Sequence, residues 1–388
     1  MSPRADRILS VPFALAFAAS FFGGLAFHGF LHLPGFIKEL GADELEIGIA
    51  VAAMNLTAIL ARPAVGKLMD SRGRRRVAIA GAAITLGACL LYLTVGSYGP
   101  WLFAVRIVHG LAGAAMFSVL FTIAADLVPK ERMAEGIALF GVSGMLPLSL
   151  GGLLGDFVLA RGTYQDLFVV TASLAACAFL AVLPLRESRP TRAEGDEPAR
   201  SFLAAAAQPN LRAVWVVGFG FAFAVASYFT FLKTFVLDTG IGTVGLFFTA
   251  YSIAAIALRV LFGWVPDRFG HLRTLYPSLL CAAAGAVVLS QATSSPHVAI
   301  AGVLCGIGHG YAFPIINAIV VGRARPSERG AAVSTFTALF DLGLFVGSPA
   351  LGAILRVSSY ETMFLCAAGV TVAGTIVFAL TDDSSRAR

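Results

Sequence analysis

The chain has 388 residues, 58% of them hydrophobic and 13% charged, with a mean hydropathy of +0.83, about half the ~25% charged share of an ordinary soluble domain. That supply excludes a water-soluble globular protein. The formal net charge of +6 does not point to nucleic acid either, because the basic residues are distributed by membrane side rather than gathered on one face.

In chain order, apolar runs fall at 9–36, 47–69, 77–97, 101–127, 133–159, 164–185, 211–236, 242–266, 274–293, 297–322, 330–355 and 361–380. Each is long enough to cross a ~30 Å hydrocarbon core as a helix, so twelve crossings are predicted. The first run exceeds the roughly 7–15 apolar residues of a secretory signal, and it reads as a permanent span. The one long polar interruption runs from Arg186 to Pro209 and carries Glu187, Arg189, Arg192, Glu194, Asp196, Glu197 and Arg200. The expected organisation is therefore a six-helix bundle over 1–186, a cytoplasmic linker over 187–209 and a second six-helix bundle over 210–388.

Basic residues flanking spans are retained in the cytoplasm. With both termini and the linker inside, the outer loops keep only Lys38, Arg161 and Arg356, and the spans hold Arg62, Arg106, Lys233 and Arg259. The other basic residues lie inside, so a multi-pass protein of a bacterial-type inner membrane with cytoplasmic termini is expected. Trp101, Trp215 and Trp264 fall near predicted span ends, where an amphipathic ring favours the headgroup layer. Cys89, Cys177, Cys281, Cys305 and Cys366 all sit in apolar runs without C-x-x-C spacing, which points to neither a metal site nor a disulfide framework. No cofactor is expected.

An internal repeat relates the two halves. Arg62, Gly66, Asp70 and Gly73 form R-x-x-x-G-x-x-x-D-x-x-G, and Arg259, Gly263, Asp267 and Gly270 repeat it. His109-Gly110 recurs as His309-Gly310 in the fourth span of each half, and Pro129-Lys130-Glu131-Arg132 recurs as Pro326-Ser327-Glu328-Arg329. Such duplication is a sequence trace of transporter architecture.

These residues resemble the major facilitator superfamily over essentially the whole chain. Gly66 to Arg75 resembles the family's loop motif between its second and third helices, and Arg106-Ile107-Val108-His109-Gly110-Leu111-Ala112-Gly113 resembles its fourth-helix motif R-x-x-Q-G-x-G with His109 in place of Gln. The fifth span, Gly141 to Gly152, is similar to the glycine-proline motif of proton-driven antiporters, but two residues separate Gly144 from Pro147 where that motif has none. The resemblance implies an all-α membrane fold of twelve helices in two pseudo-symmetric bundles around a central cavity, rocking between two states. It also implies a cytoplasmic gate at Gly66, Asp70, Gly73, Arg74, Asp126, Gly263, Asp267 and Gly270, in which Asp70 caps the eleventh span and Arg74 reaches Asp126. The competing reading of the arginines is topology and lipid phosphate binding.

Asp341 lies 12 residues after Arg329, hence ~18 Å into its span and close to mid-bilayer. A carboxylate there costs about 2.5–3.5 kcal/mol on insertion scales and is suited to carry a proton. A structural acid bonded to Arg62, Arg259 or nearby backbone is the alternative. Arg106, in the fourth span, is the expected modulator of that proton or ligand of an anionic group, against a structural bond to carbonyls.

Candidate cavity residues are His109, His309, Asn55, Asn317, Tyr228, Tyr251 and Phe140, and the many aromatic rings favour an amphipathic solute over a sugar. Packed histidines and asparagines bonding between helices explain the same residues. The spacing of His28, His32, His109 and His309 does not suggest a metal.

The expected function is secondary active transport of a small, amphipathic solute by alternating access, with proton-coupled export ahead of uptake or facilitated diffusion by the same fold. A non-transporting membrane sensor is the second alternative. No H-E-x-x-H, nucleotide loop or G-x-S-x-G elbow marks an enzyme. The expected partners are the solute, protons and membrane lipids, with the chain a monomer.

Overall fold

The computed structural model describes residues 9–129, 132–187, 207–325 and 329–382, with the backbone alone described at 70, 134, 138, 329 and 330. Among the described residues there is no strand. In hydrocarbon every backbone N–H and C=O must be satisfied within the chain, and a helix does this inside one segment.

Among the described residues, twelve helices are long and apolar enough to cross a membrane. The first, α1, is Val11–Gly29 continued through a tight turn at Phe30–His32 into Leu33–Glu39. It is followed by α2 Glu44–Arg72, α3 Arg74–Tyr92, α4 Pro100–Leu127, α5 Met133–Leu159 and α6 Tyr164–Val182. The second set is α7 Arg212–Thr239, α8 Val244–Phe262, α9 His271–Ser290, α10 Ser295–Arg323, α11 Arg329–Val357 and α12 Tyr360–Thr381. A five-residue helix, Val265–Phe269, sits between α8 and α9.

The helix ends carry their own caps. Ser10, Thr243 and Ser359 accept from backbone N–H groups in the first turns of α1, α8 and α12. Thr163 and Asp166 close a reciprocal capping box on α6, and Asp43 and Glu46 exchange two 2.9 Å bonds at the start of α2.

By contacts the chain forms two compact units, residues 1–41 with 53–192 and residues 42–52 with 193–388. Within the first, α1 packs on α4, α5 and α6, and α3 on α4 and α6. Within the second, α7 packs on α11 and α12, and α9 on α10 and α12, so the pairing pattern recurs six helices later. The second unit also takes in the first turns of α2, where Gly352 lies against the backbone of Glu44 and Arg356 Nε stands 3.3 Å from Asp43.

Small residues set the helix spacing, as is usual where lipid removes the hydrophobic drive for association. On α10, Gly302, Gly306 and Gly310 face α8, and a Cβ at Gly302 would stand 2.5 Å from the Phe247 carbonyl. On α5, Pro147, Gly151 and Gly155 receive Gly24, His28 and His32 of α1, one helical turn per step. His32 is fully buried there, its Nε2 donates to the Gly152 carbonyl at 3.0 Å, and Asp156 lies 3.8 Å away.

Trp101 and Trp264 are about half exposed, at 50% and 49%, near their helix ends. Trp215 lies in the first turn of α7, near its helix end as well, but is packed among neighbouring side chains.

Filling the α1–α5 seam is expected to cost stability. Gly155→Leu should lose ~1–3 kcal/mol through overpacking against the His32 ring, read as a lower melting temperature in detergent. Gly144→Ala, whose added methyl would meet nothing within 4 Å, should leave it unchanged or raised.

Candidate functional site

The duplicated loop motif ends each time in a glycine that starts the next helix. Gly73 has φ 91° and ψ 153°, and Gly270 has φ 94° and ψ 143°. This backbone region is essentially closed to residues with a Cβ. The repeat is therefore a repeat of conformation as well as of letters. At Gly73 a side chain would also run into the Glu187 carboxylate at 2.6 Å. Gly263 is tight against the Arg259 carbonyl, whereas a Cβ at Gly66 would meet nothing within 4 Å, so Gly66 marks no close approach within its unit.

Arg74, the first residue of α3, forms an ion pair with Asp126, in the last turn of α4. Each charge is unfavourable at its own helix terminus, a cation at an N-terminus and an anion at a C-terminus. Paired across two antiparallel helices, they neutralise one another. Arg75 donates from Nε and Nη2 to the carbonyls of Leu185 and Leu183, at 2.5 and 2.7 Å, and so ties the end of α6 to the same turn.

The second copy of the motif is built differently. Asp267 is 83% exposed in its side chain and stands 3.8 Å from His271. Among the described residues its turn shows no counterpart of the Arg74 pair, because the residue after Gly270 is His271 and not an arginine. The side chain of Asp70 lies outside the described residues.

Deeper in the first unit, Arg106, Tyr92 and His109 form a buried chain of hydrogen bonds. They are 3%, 0% and 1% exposed. Arg106 Nη1 donates to the Tyr92 hydroxyl at 3.1 Å, and that hydroxyl lies 3.2 Å from His109 Nδ1. A guanidinium can only donate. The hydroxyl therefore accepts from Arg106 and bridges the guanidinium to the imidazole. Phe30 packs on Tyr92 and His109 with centroids 4.6 Å away in both cases, and Phe27 covers His109 at 5.7 Å. Gly110 lets α4 approach the Met54 carbonyl of α2, since a Cβ would stand 2.5 Å from it. Tyr92 escapes a reading of the sequence alone. It is the single tyrosine of the third span, at the helix end, and only folding brings it to Arg106.

In the second unit His309 meets Tyr251 and Phe221 at 5.8 and 5.4 Å between ring centroids, and Phe340 of α11 at 5.9 Å. Tyr228 lies 6.0 Å from Tyr251. The tertiary structure thus gathers three of the expected cavity residues, His309, Tyr228 and Tyr251. Arg259 donates from Nε to the Gly310 carbonyl at 3.1 Å.

Asp341 follows Phe340 near the middle of α11 and is 8% exposed. Around it α11 is pressed onto α7: a Cβ at Gly343 would stand 2.6 Å from that of Ala222, and one at Gly347 would stand 2.9 Å from that of Ala226.

Asn55 is half-buried on α2, and Asn317 is half-buried on α10, its buried Oδ1 without a hydrogen-bond partner among the described residues. Phe140 is placed differently from the cavity expected of it. It is 1% exposed and edge-on to Phe13, Phe17 and Phe121 in the apolar core of the first unit, because its position on α5 faces α1 and α4.

Twelve apolar spans, a duplicated helix-packing pattern and buried polar side chains carried on facing helices define a polytopic membrane transporter. The family model for the Major Facilitator Superfamily matches residues 13–243 and 236–388, and the chain belongs to that family. It is 28% identical over 366 residues to the uncharacterised MFS-type transporter STM4428 of Salmonella typhimurium, with 89% of each chain covered. Among solved structures it is similar to the nucleoside transporter NupG, with a TM-score of 0.75 at 15% identity over 96% of this chain and 99% of the other. The human organic anion transporter MFSD10 gives a TM-score of 0.71 at 18% identity over 95% of this chain and 99% of the other. At those identities the likeness concerns the fold. The protein is a multi-pass inner-membrane transporter of the MFS type.

Removing the Tyr92 hydroxyl tests the buried chain. Tyr92→Phe should destabilise the protein by ~1–3 kcal/mol, the cost of leaving an Arg106 N–H and His109 Nδ1 each short of a partner. Thermal unfolding in detergent reads it. An unchanged melting temperature would mean that the three groups do not depend on one another.

Proposed function

We propose that this transporter is a secondary active carrier that exports a small, amphipathic solute in exchange for protons by alternating access. The observation that carries the reading is Asp341, a carboxylate 8% exposed near the centre of the 29-residue helix α11. An intramembrane acid is costly to retain and gains most where it binds and releases a proton as access alternates. Arg106 is the modulator, because its cation is buried and held in place by Tyr92.

In the same reading residues 1–186 and 210–388 are the two rocking bundles and 187–209 is their cytoplasmic linker, with both termini inside. Arg74 and Asp126 form the gate's ion pair, together with Asp70, Asp267 and the glycines Gly66, Gly73, Gly263 and Gly270. His109, His309, Asn55, Asn317, Tyr228 and Tyr251 face the solute path, with Phe140 supporting it from the core. Lipids at the arginine-rich loops and a monomeric state complete the proposal. The aromatic setting of His309 and His109 supports an amphipathic solute over a sugar, which needs many hydrogen bonds from side chains.

Purified protein in proteoliposomes, with an imposed pH gradient and a panel of candidate solutes, tests the coupling. Asp341→Asn should lose gradient-driven flux while keeping solute counterflow. Full driven flux in the variant would overturn the assignment, and loss of both activities would make Asp341 structural.

A further inference from the structure

The two copies of the loop motif differ in how their arginines are used. In the first, Arg74 pairs with Asp126, and Arg75 donates to the carbonyls of Leu183 and Leu185. In the second, Arg268 and Arg273 flank the turn at Gly270, and neither guanidinium has a hydrogen-bond or ion-pair partner among the described residues. Arg268 is laid over aromatic rings instead, its Cζ 5.5 Å from the centroid of Trp264 and 5.9 Å from that of Phe269. Asp267, the one acid between Gly263 and Leu275, stands 3.8 Å from His271, so the two arginines leave this turn with a net positive charge.

Beside the turn lies a groove of about 400 Å³, bounded by the short helix Val265–Phe269, α9 and α10. Phe269, Pro277, Cys281 and Ile307 wall it, and Arg273 stands at the end nearest the turn. Three hydroxyls also line it, and each donates to a backbone carbonyl: Thr274 to Gly270 at 3.1 Å, Ser278 to Leu275 at 2.7 Å and Tyr311 to Phe262 at 2.6 Å. With their protons engaged, they leave a wall that offers mainly carbon. From Arg273 onward the exposed positions of α9 are Pro277, Leu280, Ala284 and Val287, spaced as one helical face and all apolar. On α10, Ile300 and Val303 are exposed as well. Such a face opens to hydrocarbon, and its cationic end stands where the half-exposed Trp264 marks the headgroup layer.

Two cations at the edge of hydrocarbon attract an anion from the membrane itself. A free anion would neutralise them and leave the groove unfilled, whereas an uncharged chain would fill the groove and leave the arginines unpaired. We infer that this groove binds an anionic phospholipid, its phosphate held by Arg268 and Arg273 and one acyl chain laid along Pro277 and Cys281 toward Ile307. From Arg273 to Cys281 the wall runs eight residues, ~12 Å of helix. The lipid phosphate then gives the second copy of the motif the counter-charge that Asp126 gives the first. The cytoplasmic leaflet follows from the orientation proposed above, but binding depends neither on that orientation nor on proton coupling.

Titration of the purified, delipidated full-length protein in neutral detergent tests the site. The probes are dioleoyl phosphatidylglycerol, dioleoyl phosphatidylcholine and glycerol 3-phosphate, and native mass spectrometry reads the tightest-bound molecule. Phosphatidylglycerol should bind at least about tenfold more tightly than phosphatidylcholine, whose choline cancels the phosphate charge that two arginines attract. Glycerol 3-phosphate should not compete, because it has no chain for the groove. Arg268→Gln/Arg273→Gln should abolish the preference between the lipids, while Arg72→Gln/Arg76→Gln, the same change of charge in the first copy, should keep it. Ile307→Trp, which fills the groove, should weaken both lipids several-fold. Equal affinity for the two lipids would overturn the inference, as would a preference that survives Arg268→Gln/Arg273→Gln or is lost equally in Arg72→Gln/Arg76→Gln. Competition by glycerol 3-phosphate as strong as that of the lipid would make this a free-anion site and sink it too. Failure of the Asp341→Asn coupling assay leaves these titrations unchanged, so the two proposals fall separately.

Discussion

Everything in this molecule follows from the absence of water in the bilayer core. A polar group there must be satisfied by another part of the chain, so the backbone folds into helices and polar side chains turn toward neighbouring helices. Close approach of helices then becomes the means of burial. The seams at Gly151 and Gly155 of α5 and at Gly302, Gly306 and Gly310 of α10 bring backbones near enough that any added side chain collides. Those approaches hold His32 against the Gly152 carbonyl and set His309 beside Tyr251.

The duplication of the chain supplies a scaffold whose two copies have diverged in their chemistry. The packing of α1 on α5 and α6 recurs as α7 on α11 and α12, and Gly73 and Gly270 share one unusual backbone conformation. Where geometry alone matters, the halves agree. Where side chains carry charge or hydrogen bonds, they part: Arg74 pairs with Asp126 at one turn while Asp267 stands exposed at its counterpart, and His109 is bonded while His309 Nδ1 is open.

Much of this is legible before folding. The spans read from hydropathy coincide with the observed helices to within a few residues at most ends, because a helix must be as long as the hydrocarbon is thick. Gly73 and Gly270 are legible because only glycine takes their conformation. The burial of Trp215 and the core position of Phe140 escape such a reading for a common reason: hydropathy shows that a residue lies in a span but not which face it occupies. In a protein apolar all round, the hydrophobic period that marks the inner face of a soluble helix is erased. Tyr92 escapes it because it belongs to no repeated motif, and its meaning comes from partners on another helix.

The sequence by itself determined that the chain lives in a membrane, crosses it twelve times, repeats itself and carries a carboxylate, Asp341, inside its eleventh apolar run, since these depend on composition, length and spacing along one dimension. Only the tertiary structure decided that Arg106 is held by Tyr92, that His32 seats in a glycine groove, and that His309, Tyr228 and Tyr251 gather. Those facts depend on which helix faces meet. In lipid the meeting is set by shape and hydrogen bonding between distant segments, and neither is written in any single span.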